Sequence, residues 1–534
     1  MQPSPAPRPR NPDLWIGLGL TVAALMLFTL GLGEGALRDW DEGIYALVAR
    51  ETSQASSLRG WLYPTLHGSP FLLKPPLMLW LMAGAYRVGG ETEFTTRLPG
   101  ALLTACSVPL LYGVGRAVFS ERLPAALSAA VLLTLLPVVG HGRLAMLDGA
   151  VISLFLLLVL CLLRSRRDPR WAVGMGLSMG LIGLTKGIVA LLLGGLALIF
   201  LILDTPGLLR SPWLWSGLVL GNLPPVVWYG ALWQVSDGAV WSVGLVQQSF
   251  ERIWTTVEGH RGPPWYYAWE VLKSAWPWLL FWPAGLRLAL HHRDTGWAKL
   301  ILVWTIGYTF VISVMVSKLP WYVLPVYPAM ALAVGVALTD TWRRAGGTVG
   351  RPLLSAQVPL SWRLMLGFLA LAGWGAWGYV AFVGSEPTRV LQWTLLGAAF
   401  TFSLAAVLLV RRDTRFIWTL LIGSYAVLLL WVATPLWAWR ANDEYAVKPV
   451  AAMIRQHAPS GQAVYTSHPH GRPSLHFYAA RTVFPESASA LRARWQEDPA
   501  PYLLVDETAL AHLGLRDHRV LARAEGWYLI TRVR

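Results

Sequence analysis

Directly after its first long apolar stretch the chain reads Arg38-Asp39-Trp40-Asp41-Glu42-Gly43-Ile44-Tyr45, so three carboxylates stand where a membrane helix would leave the bilayer. Ionisable side chains cost roughly 2.5 to 3.5 kcal/mol each at the centre of such a helix, which makes a cluster at its edge either an interfacial anchor or a site. Lys74, Arg143, Asp148, Lys186 and Lys318 likewise flank or interrupt apolar runs. Carboxylates and cations gathered at one membrane face suit a reaction in which a hydroxyl attacks and a phosphate departs. The carboxylate accepts the hydroxyl proton as the bond forms, and the cations stabilise the charge appearing on the phosphate. A lipid phosphate leaves as an anion, so no general acid is required, and a lipid-phosphate sugar donor in the outer leaflet meets each requirement.

Local roles compete with that reading. Asp39 and Glu42 have the spacing of a helix capping box. Lys74 could anchor an interfacial helix by snorkelling, Arg143 and Asp148 could form an ion pair at a helix end, and Lys186 could sit in a tight interfacial hairpin. Their shared side favours a site, with Asp41 as the reacting carboxylate, Asp39 and Glu42 as helix-start support, and Asp148 beside the cations.

The elements that must position these residues follow from composition. Of 534 residues, 55% are hydrophobic and 14% charged, and apolar runs of about 20 residues recur along most of the length. This is the pattern of a polytopic membrane protein. Trp213, Trp215, Trp276, Trp278 and Trp321 mark segment ends, where indoles favour the water interface. The formal charge of +15 would suit nucleic acid, but its distribution argues against that partner. Arg164, Arg166, Arg167 and Arg170 fill one short loop, Arg343, Arg344 and Arg351 a second, and Arg411, Arg412 and Arg415 a third, as the positive-inside rule expects of cytoplasmic loops. Cys106 and Cys161 lie within apolar runs and make no disulfide framework or metal motif.

Thirteen spans are expected: 13–33, 97–119, 122–140, 147–164, 171–185, 187–203, 213–233, 276–290, 296–316, 320–338, 361–383, 389–410 and 415–437. The apolar stretch 74–87 is read as an interfacial helix, because counting it as a crossing would turn the Arg-rich loops outward. The expected organisation is a cytoplasmic tail, 1–12, a membrane domain, 13–439, with outer loops 34–96 and 234–275, and an outer α/β domain, 440–534. The expected location is the plasma (inner) membrane with a cytoplasmic N-terminus.

At this point the motifs resemble a family. Asp41-Glu42 with Tyr45 and Arg50-Glu51, Lys74-Pro75-Pro76, Arg143 through Asp148, and Leu184-Thr185-Lys186-Gly187 occur in the order seen in GT-C glycosyltransferases. The segment from Phe250-Glu251-Arg252 through His260-Arg261 to Trp276-Pro277-Trp278, and Ser317-Lys318-Leu319-Pro320-Trp321-Tyr322, complete the series. The resemblance is to the superfamily of dolichyl-phosphate-mannose protein mannosyltransferases and aminoarabinose lipid A transferases. It implies thirteen helices and inverting transfer of a sugar from a polyprenyl phosphate to a lipid, protein or glycan hydroxyl. It also implies Asp41 as general base, Lys74, Arg143, Lys186 and Lys318 on the donor phosphate, and Tyr45, Arg252, Arg261, Tyr266 and Tyr322 as substrate contacts. Relatives often carry Glu before the Lys-Pro pair and Glu-His before the Phe-x-Arg element; here those positions are Leu73 and Gln248-Ser249, so no metal site is expected. The competing readings are a transporter or flippase for a lipid-linked sugar and a non-catalytic binding subunit. The charges lie at segment ends and no inverted repeat is visible, which disfavours a transporter.

Overall fold

The computed structural model describes residues 11–256, 259–346, 358–383, 389–438 and 445–533. Most of the tail expected over 1–12, together with Arg351 and the first residues of the expected C-terminal domain, lies outside this range.

The chain forms two compact units. The first comprises Met1–Leu32, Leu72–Met78 and Leu98–Trp437, and is helical. Among the described residues eight helices are long and apolar enough to cross a membrane: Pro12–Thr29, Glu93–Val118, Asp148–Ser165, Gly296–Val314, Pro320–Arg344, Leu360–Phe382, Arg389–Val410 and Arg415–Val432. Arg122–Leu133 and Leu136–Gly142 are long and apolar enough only when taken together, with a bend of 56° between them, and make nine if counted as one broken span. Pro137 explains the break, since its ring forbids a continuous helix through this point. The other expected crossings, 171–185, 187–203, 213–233 and 276–290, fall on Ala172–Lys186, Val189–Asp204, Pro212–Val235 and Trp282–His291. The stretch expected to lie in the interface forms the 13-residue apolar helix Leu77–Gly89. The molecule is a multi-pass membrane protein.

Two helices of this unit pack backbone to backbone. Gly176 and Gly180 on Ala172–Lys186 face Gly217 and Gly221 on Pro212–Val235, and a Cβ at any of the four would overlap the opposing main chain. This is the small-xxx-small arrangement that lets membrane helices approach closely.

The second unit comprises Gly33–Phe71, Leu79–Arg97 and Ala438–Arg534. Its five-stranded sheet runs in the order 483–485, 464–466, 503–506, 527–532, 518–524, parallel over the first three strands and antiparallel thereafter. Val447–His457 places Val450, Ala451 and Ile454 on one buried face against Val464, Leu504 and Leu529 of the sheet. This is the α/β region expected from the alternating pattern after residue 440.

Candidate active site

In the second unit, Asp41 opens the helix Asp41–Gln54. The residue before it, Trp40, has φ 66° and ψ −111°, a backbone state that side-chain-bearing residues seldom adopt and that costs on the order of 1 to 3 kcal/mol. The capping-box reading of Asp39 and Glu42 does not hold, because Trp40 is the cap residue and no side chain caps this end. Both carboxylates are engaged elsewhere. Asp39 accepts from Arg472 Nε at 2.6 Å and from the Ser474 hydroxyl, while Glu42, fully buried, pairs with Arg97 Nε at 3.0 Å and accepts the Arg38 N–H at 2.9 Å. Asp41 is half-buried and accepts from the Tyr45 hydroxyl at 3.1 Å, one helical turn on. Of the three acids, Asp39 and Glu42 are bound to arginines and Asp41 to a neutral phenol.

In the first unit, a cavity of about 550 Å³ collects Lys74, Asp148, Lys186, Arg252 and Tyr322. Pro75 and Pro76 hold Lys74 outside the helix that begins at Leu77, because a residue preceding proline is pushed into extended backbone. Asp148 is the first residue of Asp148–Ser165, and Lys186 the last of Ala172–Lys186. Gly187 ends the latter helix at φ 50°, where a side chain would be strained and would also press on the Tyr229 hydroxyl. Tyr322 lies in the tight turn Pro320–Val326, and Arg252 on the single helical turn Glu251–Trp254.

These groups form a connected set. One Asp148 oxygen receives Lys186 Nζ at 2.5 Å and the other lies 3.6 Å from His141 Nε2. Lys186 Nζ sits 5.1 Å from the centre of the Tyr322 ring, and Arg252 Nη1 donates to the Tyr322 hydroxyl at 3.1 Å. The described lining therefore carries three cations and one carboxylate, a net positive charge. The remainder is apolar, including Leu72, Leu73, Ile188, Leu192 and Val311. A cavity with a net positive charge among largely apolar walls fits an amphiphile with an anionic head.

Sequence reasoning passed over His141. It is delivered by the second half of the broken span and stacks on Trp321, with ring centres 5.8 Å apart. A polar residue shortly after a helix-breaking proline in an apolar run was the available signal.

Two expected phosphate contacts are placed otherwise. Arg143 is fully buried, donates to the carbonyls of Leu27 and Leu30 at 2.6 Å, and lies over the Trp437 ring at 4.3 Å. It clamps the end of the first helix, and it is Lys186 and His141 that approach Asp148. Lys318 donates to the carbonyls of Ile312 and Ser313 at 2.9 and 2.6 Å, and burial pushes its ammonium below the usual lysine range. Neither residue lines the cavity. Arg261 is exposed and its backbone bridges to Ser317, while Tyr266 is half-buried against Tyr267. Burial and the nearby Glu270 carboxylate push the Tyr266 phenol up to about 12, so it stays neutral. Leu73 lines the cavity, and among the described residues no three His, Cys, Asp or Glu side chains converge as a metal would need.

Comparison with known proteins agrees with this architecture. A family model described as dolichyl-phosphate-mannose-protein mannosyltransferase matches residues 73–229. The undecaprenyl phosphate-alpha-4-amino-4-deoxy-L-arabinose arabinosyl transferase 2 of Sodalis glossinidius is 26% identical over 405 residues, 70% of this chain and 68% of that protein. The protein of the same name from Pseudomonas fluorescens is 27% identical over 396 residues, 66% of this chain and 68% of its own. In fold, the crystal structure of ArnT from Cupriavidus metallidurans bound to undecaprenyl phosphate superposes with a TM-score of 0.78 at 18% identity, covering 97% of this chain and 98% of that one. The family-model match, the curated relatives and the shared fold make this chain similar to the GT-C glycosyltransferases that the ordered motifs resemble.

Proposed function

We propose that this membrane glycosyltransferase transfers a sugar from a polyprenyl-phosphate donor to a hydroxyl of a lipid, protein or glycan acceptor at the outer face of the inner membrane, with inversion. The observation that carries the reading is the cavity lined by Lys74, Lys186 and Arg252 together with many apolar side chains. The cations take the phosphate and the apolar walls take the isoprenoid chain. Asp41 removes the acceptor proton as the hydroxyl attacks the anomeric carbon. The bond to the phosphate oxygen breaks with its electron pair, and Lys74 and Arg252 stabilise the leaving dianion. Tyr322 holds Arg252 in place through its hydroxyl, and Asp148 with His141 positions Lys186. Because Arg143 and Lys318 are bound to carbonyls, the phosphate-holding role passes to Arg252. The relatives' names make a 4-amino-4-deoxy-arabinosyl donor the first to test.

The test uses purified full-length protein with a labelled polyprenyl-phosphate aminopentose and an envelope lipid extract as acceptor source. Asp41→Asn is expected to lower transfer about 10²- to 10⁴-fold, and Arg252→Ala by about 10²-fold or more. Full activity in Asp41→Asn overturns the base assignment. Donor binding without release of polyprenyl phosphate would favour a transporter or binding subunit.

A further inference from the structure

A second cavity of about 500 Å³ lies at the other end of the helix that begins with Asp148. Asp148 and Arg164 are sixteen residues apart on one continuous helix, hence about 24 Å along its axis. The two cavities therefore face opposite membrane surfaces. Tyr112, Arg116, Arg164, Arg167 and Trp171 line the second one, with Asp13 and Asp168.

The charges here are unequally used. Asp13 accepts from Tyr112 at 2.7 Å, Arg116 at 2.9 Å and Arg122 at 3.1 Å, so one carboxylate serves two guanidinium groups. One Asp168 oxygen accepts the Arg170 N–H at 3.0 Å and starts the turn Pro169–Trp171. Among the described residues Arg164 and Arg167 meet no carboxylate. Arg164 Cζ lies over Trp171, 4.7 Å from its ring centre, a cation–π contact that helps hold the guanidinium in place. Three arginines against two acids, one of which is also claimed by Arg122 from outside the lining, leave a positive hollow with two aromatic residues, Tyr112 and Trp171, in its wall. A loop arginine that serves only to set topology needs neither a hollow nor an aromatic platform.

We infer that this cavity binds the phosphate ester headgroup of an anionic membrane lipid, with Arg164 and Arg167 on the phosphate and Trp171 beside the glycerol. Basic pockets between membrane helices recognise such heads in the leaflet where anionic lipids collect. Placing that leaflet on the cytoplasmic side rests on the orientation proposed above; the binding does not.

The test is native mass spectrometry of delipidated, detergent-solubilised full-length protein, titrated with dioleoyl phosphatidylglycerol, dioleoyl phosphatidylcholine or inorganic phosphate. Phosphatidylglycerol is expected to bind about tenfold more tightly than phosphatidylcholine, and the Arg164→Gln/Arg167→Gln double variant to lose about tenfold of that affinity. Arg170→Gln, in the same loop but outside the cavity, is expected to change it less than twofold. Both arginines of the double variant are exposed, so its lipid-free unfolding temperature is expected to match the parent, which separates lost binding from lost folding. An equal loss in Arg170→Gln overturns the site in favour of general loop charge. Equal binding of the two lipids, or inorganic phosphate displacing phosphatidylglycerol at comparable concentration, overturns the lipid assignment. Because the readout is lipid affinity rather than sugar transfer, its failure is distinguishable from failure of the proposed reaction.

Discussion

Neighbouring acids on one helix start can have opposite jobs, and partners decide which. Glu42 and Arg97 are both essentially inaccessible, and Arg97 also donates to the carbonyls of Glu34, Gly35 and Ala36. Removing one member of such a pair leaves an uncompensated buried charge, which typically costs about 3 to 5 kcal/mol. Glu42→Gln is therefore expected to lower the unfolding temperature of the protein by several degrees or more, whereas Asp41→Asn, one residue away, should leave it within a degree of the parent while losing transfer. Thermal unfolding in detergent beside a transfer assay checks both halves. Equal stability loss in the two variants would mean that Asp41 is another structural acid. Arg143 and Lys318 make the same point from the other side. Each sits in a sequence motif that resembles a phosphate contact, yet each donates to main-chain carbonyls at the C-terminal end of a helix, where such groups lack intrahelical partners. A linear sequence displays the cation and not the carbonyls competing for it, so the motif was legible and the role was not.

Helices set the spacing at which the cations meet, and the tightest pairing in the first unit governs one of them. Ala172–Lys186 ends in Lys186, and its Gly176 and Gly180 rest against Gly217 and Gly221. A branched side chain at Gly180 would force the two helices apart, at a cost of typically 1 to 3 kcal/mol for overpacking. It would also move Lys186 away from Asp148. Gly180→Val is expected to raise the KM for the polyprenyl-phosphate donor several-fold. Gly195→Val, whose added atoms meet open space on the neighbouring helix Val189–Asp204, should leave KM unchanged. Similar KM values for the two variants would disconnect this packing from donor binding. The helical segments themselves were readable from apolar run length. The glycine seam was not, because hydropathy does not report which glycines face a backbone. The bend at Pro137 and its delivery of His141 to Asp148 were likewise hidden inside a run that reads as one uninterrupted span.

For the whole molecule, direction across the membrane depends on one short segment. Leu77–Gly89 is an apolar helix of 13 residues, and whether it crosses decides the side of every later loop. With a cytoplasmic N-terminus, treating it as non-crossing turns Arg164, Arg166, Arg167 and Arg170, together with Arg343, Arg344, Arg411, Arg412 and Arg415, toward the cytoplasm, the distribution that insertion favours, and treating it as a crossing would turn all of them outward. The same parity sends Asp148 and Lys186 to the opposite face, where a lipid-linked sugar in the outer leaflet would present its phosphate. Alkaline phosphatase is active only outside the cytoplasm, so a fusion after Arg167 is expected to be inactive and one at the end of the C-terminal sheet active. The reverse pattern would make Leu77–Gly89 a true span and put Lys186 and Asp148 on the cytoplasmic side. An outer-leaflet donor could not then reach them, and the proposed reaction would fail with the topology even though the cavity geometry stood.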